Sequence, residues 1–129
     1  MARVVFVPDK VGFDFAFNNP RGYVGLHLRR LGSRILAAAR SQVGVRTGAL
    51  RASLHMRHFR DPRGQYVRIG SSRKYAYLHH EGTRPHLILP KKRQVLRFYS
   101  RGQVVVTHMV RHPGTRPNRY LSDNLKLVR

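Results

Sequence analysis

His79, His80, Glu81 and His86 fall within eight residues and bring together side chains that can ligate a metal. Imidazole nitrogens and a carboxylate oxygen suit zinc or another divalent ion. Adjacent His79 and His80 would diverge on a helix, however, and the His-Glu-x-x-His spacing that puts two imidazoles on one face is absent. The expectation is a partly buried His79 or His80, with Glu81 capping a loop or paired with an Arg, and no metal. His55, His58, His108 and His112 are expected on strand faces or at an interface. The acids number five: Asp9, Asp14, Asp61, Glu81 and Asp123. A glycosidase or two-metal nuclease needs at least two that converge, and only Glu81 and Asp123 lie outside the N-terminal stretch and the turn at Asp61. Cysteine is absent, which removes thiolate zinc sites, disulfides and cysteine nucleophiles and suits a reducing compartment. No glycine-rich phosphate loop, nucleophile elbow or dinucleotide fingerprint occurs. The expectation is a chain with no catalytic residues and no cofactor.

Charge is the stronger signal. Twenty-six Lys and Arg stand against five Asp and Glu, a formal net charge of +21 at pH 7. Self-repulsion on that scale calls for an anionic partner, with double-stranded DNA first among the candidates. Arg greatly outnumbers Lys, which favours forked contacts to phosphate or carboxylate. The cations are dispersed: nine Arg and no acid lie between Asp14 and Asp61, and nine Lys or Arg and no acid lie between Glu81 and Asp123. The one tight cluster is Lys91-Lys92-Arg93, after Pro90. Apolar residues, 41% of the chain, interleave throughout, unlike a disordered basic tail. No RNP pattern, zinc finger or trusted helix-turn-helix spacing is present. Tyr66, Tyr75, Tyr77, Phe98 and Tyr99 could stack bases, but at strand or helix spacing such residues more often fill a core. No run of about 18 apolar residues is available to span a membrane, and the first residues lack the pattern of a secretory signal.

The elements that must position these groups follow from periodicity. Residues 4–7 form a short apolar run that reads as a strand stopped by Pro8-Asp9. Val11, Phe13, Phe15 and Phe17 alternate as in a second extended segment. A helix is expected over about 21–43, with Val24, Leu28, Leu31, Ile35, Ala38 and Ala39 on one stripe. Gly25 and Gly32 each weaken it by about 1 kcal/mol relative to Ala. Gly44-Val45-Arg46-Thr47-Gly48 breaks it. From Arg51 the period becomes two, with Ala52, Leu54 and Met56 on one face and Ser53, His55 and Arg57 on the other. Asp61-Pro62-Arg63-Gly64 turns this strand into one holding Val67 and Ile69 inward. Ser71-Ser72 is expected to cap a short helix with Tyr75, Ala76, Leu78 and His79, which Gly82 ends. Leu87-Ile88-Leu89 reads as a strand. Residues 94–99 and 103–110 read as a hairpin turned by Ser100-Arg101-Gly102. Pro117 is expected to open a last helix with Tyr120, Leu121, Leu125 and Val128 on its packing face. The fold class is therefore α+β: a long helix in the N-terminal half packed on a largely antiparallel β-sheet, with a short C-terminal helix.

Gly82-Thr83-Arg84-Pro85 recurs as Gly114-Thr115-Arg116-Pro117. Either the tetrapeptide is simply a good loop exit, or two similar loops at one end of the sheet touch the same partner.

The order of these pieces is similar to that of a known family. Arg46-Thr47-Gly48-Ala49-Leu50-Arg51-Ala52-Ser53-Leu54 resembles the R-T-G-x-L-R-x-S segment of tailed-bacteriophage neck, head–tail connector or tail-completion proteins, often described as minor tail components. The likeness continues through Val67-Arg68-Ile69-Gly70-Ser71, Tyr75-Ala76 and His80-Glu81-Gly82-Thr83. It closes with His112-Pro113-Gly114-Thr115-Arg116-Pro117-Asn118-Arg119-Tyr120-Leu121, where the family often has Phe in place of Tyr120. The resemblance covers residues 21–129 as one α+β connector domain and leaves residues 1–20 as an N-terminal arm.

It implies a non-enzymatic virion protein, a homo-oligomeric ring and commonly a hexamer, placed between the portal side of the head and the tail. Its partners would be copies of itself, neighbouring connector and tail proteins, and non-specifically bound double-stranded DNA in the lumen. No membrane partner is implied, and assembly would take place in the host cytoplasm. Contacts with DNA or acidic partners are expected at Arg84, Lys91, Lys92, Arg93, Arg101 and Arg116. Contacts with neighbouring subunits are expected at Gly82, Thr83, Pro85, Gly114, Thr115 and Pro117. The composition alone also fits a stand-alone basic module that binds nucleic acid through its phosphates, and, more distantly, a His/Glu metal-dependent nuclease.

Overall fold

A computed structural model describes residues 4–128 and has the α+β architecture expected from the sequence. By its internal contacts the chain divides into two compact units, one of residues 4–76 and 119–128, the other Tyr77–Asn118.

In the first unit, residues 4–9 carry no regular structure, and α1 (Lys10–Asn18) stands where a second extended segment was expected. The Asp9 carboxylate decides the outcome. It accepts hydrogen bonds from the Val11 and Gly12 amides at 3.1 and 3.0 Å, satisfying two free donors of the first turn. Alternating aromatics fit a strand, but Phe13 and Phe17 are also four apart. On the helix their rings stack at 4.7 Å.

Helix α2 (Tyr23–Gln42) fulfils the expected long helix. Its inward stripe runs through Gly25, Leu28, Gly32, Ile35 and Ala39 at spacings of three and four. A Cβ at position 32 would run into the Met56 side chain and press on Val67. Gly32 is thus a point where the helix lies close against the strands that carry Met56 and Val67, an approach that a larger residue would block.

A one-turn helix, α3 (Ala49–Ser53), replaces the expected start of the next strand. Gly48 enters it with φ of 77°, and the Ser53 hydroxyl donates back to the Leu50 carbonyl at 2.7 Å. Ala52 therefore lies exposed on a helix, while Leu54 and Met56 keep their inward places on β1 (Leu54–Asp61). β1 pairs antiparallel with β2 (Gly64–Ser71) from Leu54↔Ser71 to Asp61↔Gly64. The Asp61 carboxylate accepts the Arg63 amide at 2.8 Å in the connecting turn. The Arg40 guanidinium donates to the Leu54 carbonyl at 2.7 Å, tying the end of α2 to the start of β1.

The core of this unit gathers Ala39, Val43, Leu50, Leu54, Ala76 and Tyr120, with Leu36 and Leu121 against it. Tyr120 is 1% exposed and donates to the Ala76 carbonyl at 3.4 Å. Burial raises its phenol above the ordinary value of 10.0. The expected closing helix does not begin at Pro117. A 3-10 helix forms later, over Asp123–Val128, and the Asn124 amide fastens it to the Gln42 side chain at 2.8 Å.

α4 (Ala76–Glu81) leads into the second unit. Ser71-Ser72 does not cap it: the Ser71 hydroxyl instead accepts the Arg73 amide at 3.0 Å, and the helix begins later. The strands form two separate ladders. β3 (His86–Ile88) pairs with β6 (Val110–His112), and β4 (Leu96–Ser100) pairs with β5 (Gln103–Thr107). Arg101 and Gly102 turn the second hairpin with φ of 50° and 81°, the two positive values of a type I′ turn. The expected strand over 103–110 is cut at Thr107, whose hydroxyl donates to the Met109 carbonyl at 3.0 Å and kinks the chain. Val110 resumes beside a different partner.

Candidate functional site

The recurring tetrapeptides meet each other. Thr83 and Thr115 exchange amide-to-carbonyl hydrogen bonds at 3.1 Å in both directions, and their hydroxyls lie 3.1 Å apart. Gly82 and Gly114 precede them with φ of 74° and 85°. A Cβ on Gly82 would strike the Thr115 carbonyl, and one on Gly114 would strike the Thr83 carbonyl. Each tetrapeptide thus supplies the glycine that lets the other come close, and the repeat is a pair of interlocked turns. Pro117 belongs to this clasp, and the Asn118 amide donates to the His79 carbonyl at 3.2 Å.

The clasp continues into β3 and β6, where the His86 and His112 rings face each other at 5.1 Å. Their hydrogen bonds differ in kind. His86 Nδ1 lies 2.8 Å from the Arg84 carbonyl and so donates, whereas His112 Nδ1 accepts the Gly114 amide at 3.1 Å. Neighbouring His80 pairs with Glu81 at 2.7 Å, in place of the expected Arg. His79 and His80 are both half-buried. These rings therefore turn to separate partners. Among the described residues no three His, Asp or Glu gather as a metal-holding group.

The expected cationic contacts do not collect in one place. Arg84 and Arg116 flank the clasp, Lys91-Lys92-Arg93 lies in the connection from β3 to β4, and Arg101 occupies the tip of the β4–β5 hairpin. All six are exposed, and among the described residues none has a carboxylate within ion-pair distance. The hairpin carries apolar side chains on both sides, with Arg97 beside them. Phe98 shares one face with Val105, while Tyr99, Val104 and Val106 share the other, with Tyr99 78% exposed.

Two further surfaces belong to the first unit. An apolar cleft of about 370 Å³ opens between α2, β2 and the 3-10 helix, lined by Leu28, Leu31, Ile35, Val67 and Leu125. On the opposite side of the β1–β2 hairpin, alternation brings out His55, Arg57 and Phe59 from one strand and Tyr66, Arg68 and Gly70 from the other. Phe59 and Tyr66 stack at 5.6 Å, and the Arg68 guanidinium covers both rings at 5.0 and 5.3 Å. Arg57 stands directly across from Arg68. Sequence reading placed Arg57 on the outward face but did not pair it with Arg68, because that needs the register of the hairpin. The turn at Asp61-Pro62-Arg63-Gly64 was the available signal.

Among the described residues no helix is long and apolar enough to cross a membrane. Compared with known protein families, with curated proteins and with solved structures, the chain has no match.

Proposed function

We propose that this chain is a structural subunit of a tailed-bacteriophage neck, a homo-oligomeric ring that joins head to tail around the DNA passage. The observation that carries the reading is the apolar surface the chain leaves open. Among the described residues seven apolar side chains are buried, while Val4, Val5, Phe6 and Val7 are 94, 69, 83 and 81% exposed and the β4–β5 hairpin carries apolar side chains on both faces. A protein that works alone seldom exposes so much. A subunit that covers such surface against its neighbours has a use for it. The neck assignment rests on the order of the sequence pieces from Arg46 to Leu121. The DNA passage rests on the charge of +21.

The reading needs no catalytic residue. Its test is electron microscopy of lysates from a phage in which this gene is disrupted. Filled heads lying beside finished, unjoined tails are the expected result, and normally joined particles would overturn the reading.

A second reading, a stand-alone module that binds nucleic acid through phosphates, draws on the cations that lack acidic partners. It requires tight binding by the isolated protein that weakens steeply with salt. A neck subunit would hold its protein neighbours more firmly than free DNA.

A further inference from the structure

We infer that the outward face of the β1–β2 hairpin is a contact surface for the phosphate backbone of double-stranded DNA, with Arg57 and Arg68 as its two grips. The inference rests on the reading of DNA as a partner and adds where the duplex is held.

Directly opposed residues on an antiparallel pair have Cβ atoms about 5 Å apart, and like charges there repel. Arg57 and Arg68 occupy such a position, with no carboxylate in ion-pair range among the described residues. The one acid on the same face, Asp61, stands four residues along the strand, roughly 13 Å away. Its carboxylate is engaged by the Arg63 amide. Two cationic residues thus stand opposite each other with no compensating carboxylate among the described residues, the arrangement an anion would relieve.

Arg68 is also placed in advance. Its guanidinium lies over Phe59 and Tyr66, and Nη2 donates to the Tyr66 hydroxyl at 3.5 Å. These contacts hold the group in place and leave its other N–H donors for phosphate oxygens. Beside it, Gly70 contributes no side chain, and a Cβ there would meet nothing within 4 Å. The result is a shallow hollow of about 340 Å³ between His55, Arg57, Phe59, Arg68 and Gly70, open to a bulky anionic ridge.

The chemistry favours duplex over the other polyanions. Single strands bind by laying bases on open aromatic faces, and here the guanidinium already covers both rings. A protein partner seeks apolar anchors, yet Phe59 and Tyr66 are half-buried and this face holds none of the chain's exposed large apolar side chains. Interfaces with duplex DNA are polar and strongly cationic, as this face is.

The test uses the full chain and a mixed-sequence duplex, followed by fluorescence anisotropy over a salt series. The double variant Arg57→Gln/Arg68→Gln loses two phosphate contacts. Between about 50 and 200 mM salt, wild-type affinity should therefore fall about 12-fold further than that of the variant. Relief of the opposed charges offsets the lost stacking of Arg68, so the variant's Tm should stay close to that of the wild type, which separates lost contact from lost fold. An unaltered salt slope would overturn the inference. So would the same change appearing instead in Lys91→Gln/Lys92→Gln/Arg93→Gln, an outcome that leaves DNA as a partner and moves the contact to the second unit. Equal change with oligo-dT or polyglutamate would reduce the face to a general anion patch and overturn its assignment to duplex. Absence of duplex binding at low salt would remove both the inference and the DNA passage, leaving the joining role to the microscopy.

Discussion

The two units reach order by different means. The first encloses a small core, in which Ala39 and Leu54 are fully buried and Tyr120 nearly so. In the second, no residue from Tyr77 to Asn118 is buried. Its order rests on two short ladders and the clasp between Thr83 and Thr115. An isolated two-stranded hairpin is marginal in water. The second unit is thus the part of the molecule with most to gain from a neighbour, and the first is the part able to hold its shape without one.

That contrast is most directly broken at Leu54. Leu54→Ala should cost about 2–5 kcal/mol, read as a lower urea midpoint for the loss of helical signal. Native-state hydrogen exchange should meanwhile show slow β1 and β2 amides and fast β4 and β5 amides in the wild type. Equal protection of both hairpins would remove the distinction.

Gly114→Ala addresses the other unit. The positive φ and the encounter with the Thr83 carbonyl should cost about 1–3 kcal/mol. The amide shifts should concentrate at residues 82–86 and 112–117 and leave β1–β2 unmoved. Shifts spread through α2 would show that the clasp supports more than its own unit.

Tyr120→Phe is gentler, about 1 kcal/mol for the lost hydroxyl contact, and it carries a pH signature. Burial raises the folded phenol above 10.0, so the unfolded chain ionises first as the solution becomes alkaline. The contribution of this residue is complete below about pH 10 and is lost as pH rises through the folded value. Stability profiles should descend less steeply above pH 10 in the Phe variant. Parallel descents would deny that Tyr120 is the buried phenol responsible.

Smallest in stability, within about 0.5 kcal/mol, should be charge reversal at Lys91, Lys92 and Arg93, all exposed. Its effect should fall on head–tail joining or DNA retention instead, counted as infectious particles. Full infectivity would argue against any role for this cluster in the proposed neck.

Much of this arrangement was legible because it is local. Helix α2 announces itself by a stripe three and four residues apart, and the β1–β2 and β4–β5 hairpins by turns whose chemistry is written in Asp61 to Gly64 and in Arg101-Gly102. In the N-terminal segment Val11, Phe13, Phe15 and Phe17 alternate as in a strand, and the helix is favoured instead by the Asp9 carboxylate at its start and the Phe13–Phe17 pair four residues apart. Pro8-Asp9 looked like a strand ending and is a helix beginning. The β3–β6 ladder joins Ile88 to Val110 across the whole intervening hairpin, a pairing that no window of sequence contains. Of the candidate site, the Gly-Thr-Arg-Pro echo was visible, but its meaning was not. The echo alone fits either a plain loop exit or two loops facing a common partner, and the structure adds that the copies lie against each other. The glycines of α2 show the same limit: their cost to the helix could be read from the sequence, whereas the close approach of Met56 and Val67 to Gly32 appears only once the strands are in place.

The clasp also has a topological consequence. Thr83 and Thr115 stand 32 positions apart, so their paired turns close everything between them into a loop tied at its neck, much as a drawstring closes a bag. Lengthening a loop that is already tied adds little entropy cost, about 0.6 kcal/mol for each doubling. The tip at Arg101-Gly102, exposed and two residues long, is therefore a natural splice point. A short epitope or fluorophore-binding peptide inserted there would ride inside the tied segment and leave the knot to hold its ends.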